Sequence, residues 1–114
     1  MNILFVDDEE DLRELAKEIF TDEGFSLLTA SNTKSALELF EHLQFDVVIT
    51  DAHMPQGSGL DFCRTLREKH HFLGKLILVS GEIENDGWKE QFGYDVAIDK
   101  PLNFTELIDL IRSL

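Results

Sequence analysis

Five short apolar runs, each stopped by a polar or charged side chain, constrain this chain more than any other feature. They are NILFV (2–6), FSLLTA (25–30), DVVIT (46–50), KLILVS (75–80) and DVAID (95–99). Rich in aliphatic and β-branched residues and too short for helices, they are predicted as strands. Segments with helical spacing lie between them. Leu12, Leu15, Ala16, Ile19 and Phe20 mark the first, and Ala36, Leu37, Leu39, Phe40 and Leu43 the second. Leu60, Cys63, Leu66 and Arg67 continue the pattern, which closes with Leu107, Ile108, Leu110, Ile111 and Leu114. Gly24 reads as the stop of the first helix, and Asn103 with Glu106 as the N-cap and capping partner of the last. The weak segment is Gly81 to Gly93, whose glycines lower helix propensity, although Trp88 and Phe92 at i, i+4 predict one or two turns. Strands that are nearly continuous in aliphatic residues are buried on both faces. The expected fold is therefore α/β, a doubly wound five-stranded parallel sheet, with one domain over residues 1–114.

In an open parallel sheet all strand C-termini share one edge, and ligands bind there. After the first run come Asp7 and Asp8; after the third, Asp51; after the fourth, Ser80; after the fifth, Lys100 and Pro101. Singly, each has a plain role: aspartates favour a helix N-terminus, a serine suits a turn, a lysine suits the surface. Their convergence on one edge has no such plain account. Clustered carboxylates repel, so they take up protons or a cation, and an all-oxygen set selects a hard ion such as Mg²⁺, with Mn²⁺ a second choice. A carboxylate nucleophile beside a divalent ion, an ammonium and a hydroxyl is suited to accepting a phosphoryl group.

The net charge of −13, from 23 acidic and 10 basic residues, repels phosphate backbones and anionic lipid. Neither a nucleic acid nor a membrane is expected as a direct partner. The single cysteine, Cys63, allows no internal disulfide, and the N-terminal MNILFVDDEED lacks the basic and apolar regions of a signal peptide. Both fit a cytoplasmic protein. Cys63 keeps helical spacing with Leu60 and Leu66, which predicts a core role. His70 and His71 are expected to close the third helix, and with His42 and His53 they form no recognisable metal-ligand spacing.

With these residues in place, VDDEED after the first strand, DVVITDAHMPQGSGLDFCRTLR around Asp51, Ser80 after the fourth strand and Lys100-Pro101 after the fifth, the chain resembles the receiver domain of two-component response regulators. The D-x-x-M-P-x-x-x-G pattern of Asp51, Met54, Pro55 and Gly59 is the most specific part of the resemblance. The resemblance implies a (βα)₅ flavodoxin-like topology with strand order 2-1-3-4-5. It implies a signalling domain that catalyses only its own phosphorylation and dephosphorylation. Asp51 would accept a phosphoryl group from a sensor histidine kinase or histidine phosphotransfer protein and so control a downstream partner or output domain. Asp7, Asp8, Asp51 and the backbone carbonyl of His53 would hold Mg²⁺, while Ser80 and Lys100 would contact the phosphate. Met54 and Pro55 would shape the loop that directs the His53 carbonyl, with Gly57 and Gly59 easing the turn into the third helix. Pro101 would follow a cis peptide bond. The chain departs from the family at Ala97, where receivers usually carry an aromatic switch residue, and in a slightly short interval from Ser80 to Lys100. Two other classes fit the residues less well. A Mg²⁺-dependent phosphatase with an aspartate nucleophile usually places it in D-x-D after the first strand, where this chain reads Asp-Asp-Glu at 7–9 and leaves no room for a substrate cap. A flavin or nucleotide binder needs a phosphate loop there, and DDEED is its electrostatic opposite.

Overall fold

Alternate residues of each central strand enter opposite cores, and this divides the molecule into three layers. The computed structural model describes residues 1–54, 57–81 and 87–114. Strands β1 (Asn2–Val6), β2 (Ser26–Ala30), β3 (Val47–Asp51), β4 (Lys75–Ser80) and β5 (Val96–Asp99) form one sheet. All pairs are parallel and the order is 2-1-3-4-5, as the resemblance implied. Leu4, Val6, Val48, Leu76 and Leu78 face one core, closed by α2 (Thr33–His42), α3 (Gly59–Glu68) and α4 (Trp88–Phe92). Ile3, Phe5, Val47, Ile49, Ile77 and Val79 face the other, closed by α1 (Glu10–Asp22) and α5 (Phe104–Ser113). Burial on both sides explains the unbroken aliphatic runs.

The helix ends show how local chemistry sets the boundaries. Gly24 has φ 89°, the left-handed geometry that glycine adopts without strain after a helix. Asn32, Ser58 and Asn103 cap α2, α3 and α5, each side chain accepting a backbone N–H. Arg112 of α5 reaches Glu23 at 2.9 Å and lies over the Phe25 ring, tying the last helix to the first helix–strand connection. Among the described residues no helix is long and apolar enough to cross a membrane.

Three expectations need correction. Leu15 keeps helical spacing but is 45% exposed, because Ala16 and Phe20 take the buried face of α1. His70 and His71 do not close α3, which ends at Glu68; they lie in the following loop, His71 with φ 53° and the His70 ring edge-on to Phe40. Gly59 is not a turn residue but the first residue of α3, and its reason is space: a Cβ there would collide with the Asp51 backbone oxygen. Cys63 is fully buried as expected, and burial pushes its thiol up to about 12. The Pro55 position and residues 82–86 of the weak segment lie outside the described residues. The part that is described includes the short α4, with Trp88 and Phe92 packed edge to face.

Candidate phosphoryl and metal site

The first strand ends with its chain direction fixed by the sheet: Asp7 N–H donates to the Ala30 carbonyl at 3.1 Å, extending the β1–β2 ladder by one residue. The Asp7 side chain is thereby held over the sheet edge, 3% exposed, and accepts from Glu9 N–H at 2.9 Å. That bond serves the N-terminus of α1, whose N-cap residue Glu9 makes no side-chain cap of its own. Arg13, which completes the first turn of α1, reaches back and donates to the Asp7 carbonyl at 2.7 Å. Asp8 is exposed, and its carboxylate has no protein partner among the described residues.

Asp51 closes β3 and is 4% exposed, more enclosed than its strand-end position suggested. Its Oδ2 accepts from Lys100 Nζ at 2.8 Å and its Oδ1 from His53 N–H at 3.1 Å. Ala52 N–H continues the ladder to the Val79 carbonyl, and Gly59 N–H bonds the Ala52 carbonyl, so the start of α3 clamps the residue after Asp51. His53–Met54 pairs antiparallel with Gly57–Ser58, which holds the His53 peptide beside Asp51. Met54 is 9% exposed and anchors this small hairpin in the core. Ser80 ends β4, almost wholly buried, and its carbonyl accepts Lys100 N–H at 3.1 Å. The Lys100-Pro101 bond is cis, as expected.

The structure thus brings together Asp7, Asp8, Asp51, His53, Ser80 and Lys100 at one edge. Ligand oxygens of Asp7, Asp8 and Asp51 all lie within 4.8 Å of one another. That spacing, with two buried carboxylates and one exposed, fits a hard divalent cation that retains part of its water shell. Electrostatics agree. Burial, together with the nearby Asp51 and Asp8 charges, pushes the Asp7 carboxyl above the usual range, against the opposing pull of the Glu9 N–H and Lys100. Burial alone would lower the Lys100 ammonium, but its hydrogen bond to Asp51 and the charges of Asp51, Asp7 and Glu9 outweigh this and raise it. Lys100 therefore faces Asp51, Asp7 and Glu9 together, and among the described residues acidic groups outnumber cations at the site.

Ala97 lies in β5 opposite Leu78 and packs toward the α3–α4 core with Trp88 and Phe92. No ring stands at this position, as the sequence stated. Sequence reasoning missed Arg13 and Ser58. The Ser58-x-x-Asp61 spacing before an apolar run was a legible capping signal, whereas nothing in the sequence pairs Arg13 with the Asp7 carbonyl. It also missed Arg67, which donates to the carbonyls of Gly93, Phe72 and Gly74 and to Asp95 Oδ2, joining α3 to the starts of β4 and β5 at the opposite end of the sheet.

Comparison with known proteins agrees with this geometry. The chain is 31% identical over 112 residues to the transcriptional regulatory protein CpxR of Escherichia coli (strain K12), covering 98% of this chain and 48% of CpxR. It is 31% identical over 113 residues to the regulatory protein VanR of Enterococcus faecium, covering 97% and 48%. The chain thus spans about half the length of these curated relatives. Among solved structures it is similar to the response regulator TrrA of Thermotoga maritima in complex with Mg²⁺–BeF, with TM-score 0.85, 35% identity and coverage of 98% and 96%. It is also similar to the chemotaxis response regulator CheY4 of Vibrio cholerae, with TM-score 0.87, 26% identity and coverage of 99% and 98%. These relatives do not favour the aspartate phosphatase alternative. Residues 3–112 match the family described as response regulator receiver domain, and the chain belongs to it.

Proposed function

We propose that this domain takes a phosphoryl group onto Asp51 from the phosphohistidine of a sensor histidine kinase or phosphotransfer protein, in a Mg²⁺-dependent reaction, and passes the change to a downstream protein or output domain. The observation that carries this is the buried Asp51, held by Lys100 at 2.8 Å and grouped with Asp7 and Asp8 within 4.8 Å. In the transfer a donor N–P bond breaks and an O–P bond to Asp51 forms, and the imidazole leaves with the bonding electrons and takes a proton from solvent. His53 N–H and Lys100 Nζ orient the two carboxylate oxygens before attack. Lys100 then shifts from carboxylate to phosphoryl oxygen, and the Ser80 hydroxyl donates to another. Asp7, Asp8, Asp51 and the His53 carbonyl would hold Mg²⁺, which when bound would neutralise charge on the transferring group. Mn²⁺ has the same ligand preference and substitutes for it. Ala97 removes the usual aromatic lever, so the conformational signal runs through the backbone after β4 and through α4. We place the domain in the cytoplasm, where a phosphohistidine donor is available, and direct nucleic-acid or membrane contact by this acidic surface forms no part of the reading.

The test is incubation with acetyl phosphate and Mg²⁺ followed by intact mass measurement. A single acid-stable, base-labile phosphoryl gain is expected, absent in Asp51→Asn and in chelator. Undiminished labelling of Asp51→Asn would sink the assignment.

A further inference from the structure

Arg13 is out of place by simple helix electrostatics. It is the fourth residue of α1, where the helix dipole disfavours a cation. Its amide bonds the Glu9 carbonyl at 3.1 Å as the first turn requires, but its guanidinium turns back and donates to the Asp7 carbonyl at 2.7 Å. The Asp7 carbonyl belongs to the peptide that joins Asp7 to Asp8. Asp7 has other anchors, through its N–H to Ala30 and its carboxylate to Glu9. Asp8 has none: its side chain is exposed and without a protein partner among the described residues. The direction of the Asp8 carboxylate is therefore set by its two flanking peptides: the Asp7 carboxylate holds the N–H of the Asp8–Glu9 peptide, and Arg13 is the side chain that holds the carbonyl of the Asp7–Asp8 peptide.

We propose that Arg13 is a positioning residue for the divalent cation, fixing the Asp7–Asp8 peptide so that the Asp8 carboxylate stays within ligand distance of Asp7 and Asp51. This rests on the reading of those three aspartates as the Mg²⁺ site. The arrangement produces two opposed effects. As a charge near an acidic trio, Arg13 weakens cation binding; as a hydrogen-bond donor to the loop, it strengthens it. Partners one shell outside a metal ligand change affinity by about 10-fold or more when removed, so positioning is the larger effect.

The experiment is Mg²⁺ titration by calorimetry at fixed ionic strength on wild type, Arg13→Met, Arg13→Lys and Asp8→Asn. Met keeps the aliphatic stem and helix propensity but has neither donor nor charge. Arg13→Met is expected to bind Mg²⁺ about 10-fold more weakly, with Arg13→Lys intermediate because one donor remains. Exchange of the Asp8 amide should quicken in Arg13→Met while α5 amides are unchanged, a pattern that general destabilisation does not give. Equal or tighter Mg²⁺ binding by Arg13→Met overturns the proposal, since that is the response to simple loss of a nearby cation. If Asp8→Asn binds Mg²⁺ like wild type, the metal-site reading itself fails, and the Arg13 proposal with it.

Discussion

Replacing Asp7 by asparagine should make the metal-free protein more stable and the magnesium-loaded protein less so. Asn preserves shape and can still accept the Glu9 N–H that Asp7 receives at 2.9 Å. What it removes is a nearly buried charge whose oxygens lie within 4.8 Å of those of Asp8 and Asp51. At that separation one like-charge pair costs about 3.5 kcal/mol at an effective dielectric of about 20, and about 0.9 kcal/mol in bulk water. Against this stand a weaker bond from Glu9, about 1 kcal/mol, and lost attraction to Lys100. The net gain is about 1–2 kcal/mol, or roughly 5 °C or more in melting temperature for a domain of this size. The pH dependence has a definite sign. Because the folded Asp7 carboxyl is raised above 3.8, wild type carries its full penalty above the folded value. The advantage of the variant therefore shrinks as pH falls through that value and vanishes below about 3.8. Magnesium reverses the order: an ion at 100 times its dissociation constant adds about 2.7 kcal/mol to wild type and little to the variant. Thermal denaturation with and without Mg²⁺, across pH, measures all of this. A metal-free Asp7→Asn that melts below wild type at neutral pH would refute the reasoning, because the Glu9 and Lys100 interactions would then outweigh the repulsion.

Gly59→Ala should disturb both fold and site, since its Cβ meets the Asp51 carbonyl; about 1–3 kcal/mol of overpacking exceeds the helix-propensity gain of about 1 kcal/mol, and acetyl phosphate labelling should fall. Lys100→Ala should tighten Mg²⁺ binding, because a competing cation 2.8 Å from Asp51 is gone, yet slow phosphoryl uptake; calorimetry and labelling rates separate the two. Arg67→Ala takes a donor from three backbone carbonyls and from Asp95, which keeps Leu76 N–H, and should cost about 3 kcal/mol in urea unfolding while Mg²⁺ affinity stays at the wild-type value.

The sheet and most of the site were legible because both depend on local runs. An aliphatic run that ends in Asp, Ser or Lys announces a strand and its edge together, and KLILVS matched β4 residue for residue. Caps follow from one or two neighbouring residues, which is why Asn103 could be named. Three kinds of information were not local. Leu15 kept the right spacing but lost the competition for the buried face of α1 to Ala16 and Phe20. Gly59 looked like a turn residue, and only the approach of the Asp51 carbonyl gives the real reason. Arg67 kept a helical spacing that suggested packing, while its bonds run to residues as far as 28 positions away. Long side chains choose partners in three dimensions, and a one-dimensional pattern does not carry that choice.

Arg67 also bears on how a signal could leave the site. At one end of the sheet it holds Gly93 and Asp95, and Asp95 Oδ2 accepts Leu76 N–H at 2.8 Å, so the starts of β4 and β5 are fastened to each other and to α3. At the other end the same two strands are joined by Lys100 N–H to the Ser80 carbonyl, next to the Lys100–Asp51 pair that phosphorylation would disrupt. Motion begun at Ser80 and Lys100 therefore meets a fixed point at the far end of β5. At Ala97 there is no large side chain to convert it into a swing toward the core. Among the described residues the least enclosed helix is α4, which has five residues, none fully buried, and rests on α3 partly through Phe92 beneath the Arg64 guanidinium at 4.9 Å. Its Trp88, the one tryptophan of the chain, stands at the end nearer Ser80 in sequence. Trp88 emission should therefore change when beryllofluoride and Mg²⁺ bind, and the change should survive Arg64→Ala, which loosens α4 but leaves the site intact. An emission spectrum that does not move on binding would place the responding surface away from α4.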